Sequence, residues 1–126
     1  MATVQVTKDN IESLINENDT VVLDFWASWC GPCMRFAPVF EAASEARAGI
    51  VFGKIDTEDQ RELAAHFQIR SIPTLMVFRE KILLFSQPGA LPPAAFDDLL
   101  DQVTALDMDD VRRQIEAHEA EEGSEG

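Results

Sequence analysis

An α/β fold with a mixed sheet covered by helices on both faces is predicted for this chain, and three observations predict it. The run "TVVLDFWA" (20–27) is apolar and β-branched almost throughout, the pattern of a strand buried on both faces. Strand-like and helix-like segments alternate through roughly the first 70 residues, as in a parallel sheet with crossover helices. Two adjacent apolar runs, "TLMVFRE" (74–80) and "KILLFSQ" (81–87), then read most simply as a hairpin, which adds an antiparallel edge.

The elements follow in order. "TVQV" (3–6) is a short strand. "TKDNIESLINEN" is a helix with Thr7 as N-cap and Ile11, Leu14 and Ile15 on one face. After the strand 20–27, a helix runs from Pro32 to about Ala48. Proline suits a first helical turn, because its missing N–H would have been an orphan there. Pro38 lies inside that helix and should kink it. "GIVFGKID" (49–56) is a strand opened by a helix-stopping glycine. "TEDQRELAAHFQI" (57–69) is a short helix with Leu63, Ala64 and Phe67 inward. The hairpin follows, and "LPPAAFDDLLDQVTAL" (91–106) is an amphipathic helix with Phe96, Leu99, Leu100, Val103 and Leu106 on one side. Phe25, Phe36, Phe40, Val51, Phe52, Phe78 and Phe85 read as core.

Beyond Leu106 the composition changes. Residues 107–126 hold eight acidic and two basic residues. Asp107 can cap a further helix, with Asp109 and Asp110 in its first turn. Met108, Val111, Ile115 and His118 make a narrow stripe along it, and such a helix persists only if the stripe docks. The expected organisation is a domain over 1–106, a helical extension over 107–120 and a disordered acidic tail over 121–126.

Charge and composition narrow the function. At 126 residues the chain has the size of one domain, and its formal net charge is −13. That balance argues against nucleic acid and against an anionic membrane surface as partners. No apolar run approaches the roughly 18 residues of a membrane span. The first residues, "MATVQVTKDNIE", lack the basic and apolar regions of a secretory signal. A soluble cytoplasmic protein is therefore expected, in a compartment where thiols stay reduced.

The chain has only two cysteines, Cys30 and Cys33. They could be a structural disulfide, half of a metal site, or a pair that trades electrons. Zinc needs two more ligands at suitable spacing, and His66 and His118 lie 33 and 85 residues beyond Cys33. A structural bridge here would close a tiny loop and restrict the unfolded chain little. Redox chemistry fits the position. Cys30 stands between a buried strand and a helix, where unpaired N–H groups and roughly half a positive charge favour the thiolate. Cys33, one turn further in, can reach back to the first sulfur. Cys30 would then attack a substrate disulfide and Cys33 would resolve the mixed disulfide.

"VVLDFWASWCGPC" (21–33) strongly resembles the active site of the thioredoxin family. "IRSIPTLMVF", "GKID", "PGAL" and the helix proline Pro38 extend the resemblance over about residues 3–106. It implies the thioredoxin fold, a central five-stranded mixed sheet between helices. It also implies a cytoplasmic protein-disulfide reductase that acts as an electron carrier, needs no cofactor of its own, and works as a monomer. Its partners would be disulfide-containing client proteins and an NADPH-dependent thioredoxin reductase.

The same resemblance assigns Cys30 as nucleophile and Cys33 as resolving thiol. Asp24 becomes the buried carboxylate that accepts and returns the Cys33 proton, and Lys54 the lysine whose charge approaches it. Trp29, Gly31, Pro32, Ile72, Pro73 and Gly89 become the substrate-contacting surface, with the Ile72-Pro73 peptide cis and the Ile72 backbone open to an extended client segment. Trp26 reads as structural. Met34 stands where many relatives have lysine, with the basic residue one later as Arg35, and Glu80-Lys81 replaces a common Asn-Gly turn. Two other classes fit less well. A pure binding module has no need of Asp24, Cys30, Pro32, Cys33 and Pro73 together. An oxidase or isomerase would often carry a histidine between the cysteines, where this chain has Gly31-Pro32.

Overall fold

A computed structural model describes residues 2–124. The elements are β1 (Thr3–Gln5), α1 (Ile11–Glu17), β2 (Thr20–Trp26), α2 (Gly31–Ala46), β3 (Val51–Asp56), α3 (Arg61–His66), β4 (Thr74–Arg79), β5 (Ile82–Pro88), α4 (Pro93–Ala105) and α5 (Met108–Ser124). The strands form one sheet in the order β1-β3-β2-β4-β5. β1, β3 and β2 are parallel, β4 runs antiparallel to β2, and β5 antiparallel to β4. This is the five-stranded mixed sheet that the resemblance implies.

β2 is central, and every residue from Thr20 to Phe25 is buried. One of its faces puts Val22 among Phe36, Phe40, Phe52, Phe96 and Leu100, and the other puts Val21, Leu23 and Phe25 among Ile11, Ile55, Leu63 and Met76. A strand covered twice has no solvated face, so its apolar residues run on without alternation. Each phenylalanine buried there contributes about 1.5–3 kcal/mol. Val6, just past β1, packs tightly on β3. A side chain at Gly53 would begin 2.5 Å from Val6 Cγ2 and 3.0 Å from Leu23 Cδ2, both on buried residues, so glycine is needed there.

Several boundaries differ from those read in the sequence. α1 starts at Ile11, with Asn10 rather than Thr7 at the N-cap position. Thr7 instead closes a turn ahead of the helix: its hydroxyl accepts from the Asp9 N–H, and its own N–H donates to Asn10 Oδ1. α3 is only six residues long, because residues 57–59 form a turn tied to Asp56 Oδ1. Val51 and Phe85 are half-buried rather than core. Leu106 is 41% exposed, because α4 ends at Ala105 and the backbone there becomes extended, leaving the helical phase. Met108 takes the inward place instead, at 4% exposure.

Asp107 Oδ1 accepts from the N–H groups of Asp109 and Asp110, so α5 is capped as its sequence predicts. α5 then continues to Ser124, four residues into the segment expected to lack structure. Alanine and glutamate are good helix formers, and His118 Nε2 lies 3.0 Å from Glu122 Oε1 one turn on, which supports the helix as far as the two glutamates ahead of Gly123. Glu125 and Gly126, the rest of the expected tail, lie outside the described residues. The stripe docks only at its start: Met108 is buried, Val111 half-buried, and Ile115 and His118 exposed.

Candidate active site

β2 ends at Trp26, and the chain crosses Ala27-Ser28-Trp29 to enter α2. A turn bond from Cys30 N–H to the Ala27 carbonyl (3.1 Å) shapes this crossing. Cys30 is the N-cap of α2, with extended backbone, and its Sγ accepts the Cys33 N–H at 3.2 Å. Gly31 and Pro32 open the helix. Cys30 and Cys33 are joined as a disulfide, with their Cα atoms 5.2 Å apart. Both are buried, at 5% and 1% exposure, the second deeper. A sulfur in the N-cap place meets N–H groups and the positive end of the helix dipole, which favour a thiolate once the pair is reduced.

Trp29 stands 69% exposed beside the pair. Its indole N–H donates to Glu58 Oε1 at 2.9 Å, and Arg61 holds the other carboxylate oxygen at 3.1 Å. Glu58 is absent from the residues singled out in the sequence. The available signal is its place two residues past the end of β3, at the level where β2 also ends. Met34 is exposed, and the Arg35 guanidinium lies 3.3 Å from where a Gly31 side chain would start.

The Ile72-Pro73 peptide is cis. Ile72 packs on the cysteine pair, and its carbonyl oxygen lies 3.7 Å from Cys30 Sγ, within reach of a Cys30 thiol hydrogen in the reduced form. Gly89 closes this loop from the far side. Its N–H donates to the Pro73 carbonyl at 2.7 Å, and its φ of +106° is a conformation that favours glycine.

On β2, six residues before Cys30, Asp24 is fully buried, and neither carboxyl oxygen has a hydrogen-bond partner among the described residues. Burial pushes its carboxyl up to about 7, and the nearby Lys54 charge pulls the other way. Lys54 is the Cα partner of Asp24 across β2 and β3. Its ammonium lies over the Trp26 ring, 4.6 Å from the centroid. The cysteine pair, the cis-proline loop and the exposed indole thus meet at one end of the sheet. A buried acid able to gain or lose a proton near neutrality stands on β2, two residues before that strand ends at Trp26. Such an arrangement can exchange a disulfide with another protein.

A five-stranded mixed sheet with a Cys-x-x-Cys disulfide capping a helix defines a thiol–disulfide oxidoreductase. Residues 2–102 match the family model described as Thioredoxin. A Streptomyces coelicolor chain bearing the name thioredoxin 2 is 52% identical over 122 residues, covering 97% of this chain and 91% of the relative. That match takes in most of the segment beyond residue 102. The thioredoxin of Porphyra purpurea is 40% identical over 104 residues, 81% of this chain and 97% of the relative. Among solved structures, Plasmodium falciparum thioredoxin superposes with a TM-score of 0.74 at 33% identity, covering 79% of this chain and 98% of that one. The chain belongs to the thioredoxin family, and it is a protein-disulfide oxidoreductase. No helix among the described residues is long and apolar enough to cross a membrane.

Proposed function

We propose that this chain is a general cytoplasmic reductase of client-protein disulfides, acting as a monomer and recycled by an NADPH-dependent thioredoxin reductase. The Cys30 thiolate attacks one sulfur of a client disulfide, and the other client sulfur leaves as a thiolate. Cys33 then loses its proton to Asp24 and attacks Cys30 Sγ. The second client sulfur departs, the Cys30–Cys33 disulfide forms, and two electrons have passed to the client. The reductase returns two electrons from NADPH and restores the dithiol. Lys54 biases the ionisation of Asp24.

Trp29, Gly31, Pro32, Ile72, Pro73 and Gly89 form the client-contacting face, on which an extended client segment runs along the Ile72 backbone. Residues 1–106 carry the activity, and the segment from Asp107 on is accessory. The observation that carries this reading is the position of the Cys30 sulfur, at the N-cap of α2 and against the Ile72 carbonyl.

Turnover of a disulfide substrate with NADPH and thioredoxin reductase is the direct test, and absence of turnover would sink the recycling route. The two sulfur roles separate by substitution. Cys30→Ser is expected to lose turnover and capture no client. Cys33→Ser is expected to lose turnover and accumulate mixed disulfides, because attack survives and resolution does not. Clients trapped on Cys30→Ser instead would invert the assignment.

A further inference from the structure

Lys54 has two places to put its charge, and the structure shows which it takes. β2 and β3 run parallel in a register that pairs Asp24 with Lys54 and Trp26 with Asp56. Residues two apart on a strand share a face, and directly paired residues do too. Asp24, Trp26 and Lys54 therefore stand side by side on the face covered by α2. A lysine stem carries its ammonium several ångströms from the strand, so the charge can turn either to the carboxyl or to the ring. It lies over the Trp26 ring, and both Asp24 oxygens are left without a protein partner.

We propose that Trp26 is a positioning residue for the exchange reaction: its indole holds the Lys54 ammonium off Asp24 and keeps the buried carboxyl unpaired. A direct ion pair would lock Asp24 in its charged form and remove it as a proton acceptor and donor near neutral pH. An ammonium on an aromatic face is held by the ring quadrupole, which offers the charge a competing seat. Trp26 also packs against the cluster of Ala27, Cys30 and Cys33, so one side chain borders both that cluster and the lysine. The inference rests on the proton-transfer reading of Asp24 given above.

The other groups facing Asp24 do not supply this control. On β3, Asp56 comes next after Lys54 on that face, and its Oδ1 accepts the Glu58 and Asp59 N–H groups. β4 sets Leu75 opposite Asp24. Its charge on that face, Arg79 at the far end, is taken by the Val103 and Leu106 carbonyls. α2 and α4 cover the face with Phe36, Phe40, Phe96 and Leu100, while Cys33 is tied in the disulfide. The carboxyl lies well above its ordinary range, as an unpaired buried acid should.

The test follows the Asp24 carboxyl carbon by NMR across pH, in the disulfide form, where neither cysteine titrates. Trp26→Leu is expected to lower the Asp24 midpoint by about one unit or more, because Lys54 can then reach the carboxylate. Adding Lys54→Met to Trp26→Leu should reverse at least half of that fall. Trp26→Phe keeps an aromatic face and should hold the midpoint near that of the wild type. An unmoved midpoint in Trp26→Leu overturns the proposal. So does an equal fall with and without Lys54, which would mean that entering water alone is responsible. Should Trp26→Leu not fold, the Lys54 Cε protons of the wild type decide: a ring-current shift upfield is expected, and its absence overturns the proposal. Because the carboxyl itself is read, failure here is distinct from failure of the proton-transfer role, which is measured by resolution kinetics in Asp24→Asn.

Discussion

Asp24 is the residue whose energetics reach furthest. Its carboxyl rises from 3.8 to about 7 because burial disfavours its charge. The unfolded chain ionises this group near its ordinary value, so between about pH 4 and pH 7 the folded state binds a proton that the unfolded state has released. The resulting stabilisation is fully present below pH 4 and is lost as pH rises through 7, on the order of 4 kcal/mol in all. The amide side chain of an Asp24→Asn variant cannot ionise. The variant should therefore gain on the wild type by a few kcal/mol between pH 4 and pH 8, measured by urea unfolding at each pH. A difference that stays flat over that range would contradict the burial account. The importance of Asp24 was readable in the sequence, since a lone acid inside "VVLDFWA" is costly unless it is used or paired. The seat of Lys54 on Trp26 was not. It depends on the register between strands some 30 residues apart, which no local pattern encodes.

At the scale of elements, the β4–β5 hairpin carries the clearest local conflict. Its two-residue loop, Glu80-Lys81, has positive φ at both positions, 50° and 70°. That is the geometry of a type I′ turn, which favours Asn-Gly because other side chains crowd the backbone there. The turn is held from outside. The Glu80 N–H donates to the Asp19 carbonyl at 2.7 Å, and Arg112 of α5 bonds Glu80 Oε1 at 2.8 Å. Lys81→Gly should stabilise the protein by about 1 kcal/mol, seen as a higher urea midpoint with unchanged slope. A lower midpoint would show that the lysine side chain contributes more than the strain removes. The hairpin was legible from its paired apolar runs, β2 from its unbroken apolar run, α2 from the proline that opens it, and α4 from its amphipathic stripe. Thr7 and the length of α3 were not, because hydrogen bonds within short turns decide them and several polar residues nearby could serve. Leu106 kept its helical phase on paper, while the real helix had already ended one residue earlier.

Over the whole molecule, α5 is the element that the match to the family model at 2–102 leaves outside. It is fastened at its first turn by buried Met108 and by the Arg112–Glu80 bond. Removing everything after Leu106 should cost about 2 kcal/mol, mostly from Met108, since an exposed ion pair adds little. Disulfide reduction at saturating reductase should be nearly unchanged. Loss of turnover in a truncated chain that still unfolds cooperatively would make α5 part of the machinery. The direction of β4 carries a practical consequence. The strand leaves the cis-proline loop at Thr74 and arrives at the Glu80 turn, where α5 is pinned, after six residues, or about 20 Å. The sulfurs and the first turn of α5 thus occupy opposite poles. A bead, a fluorophore or a second protein grafted onto the exposed face of that first turn would hang from the back of the molecule, and the reactive pole would stay open to whatever approached it.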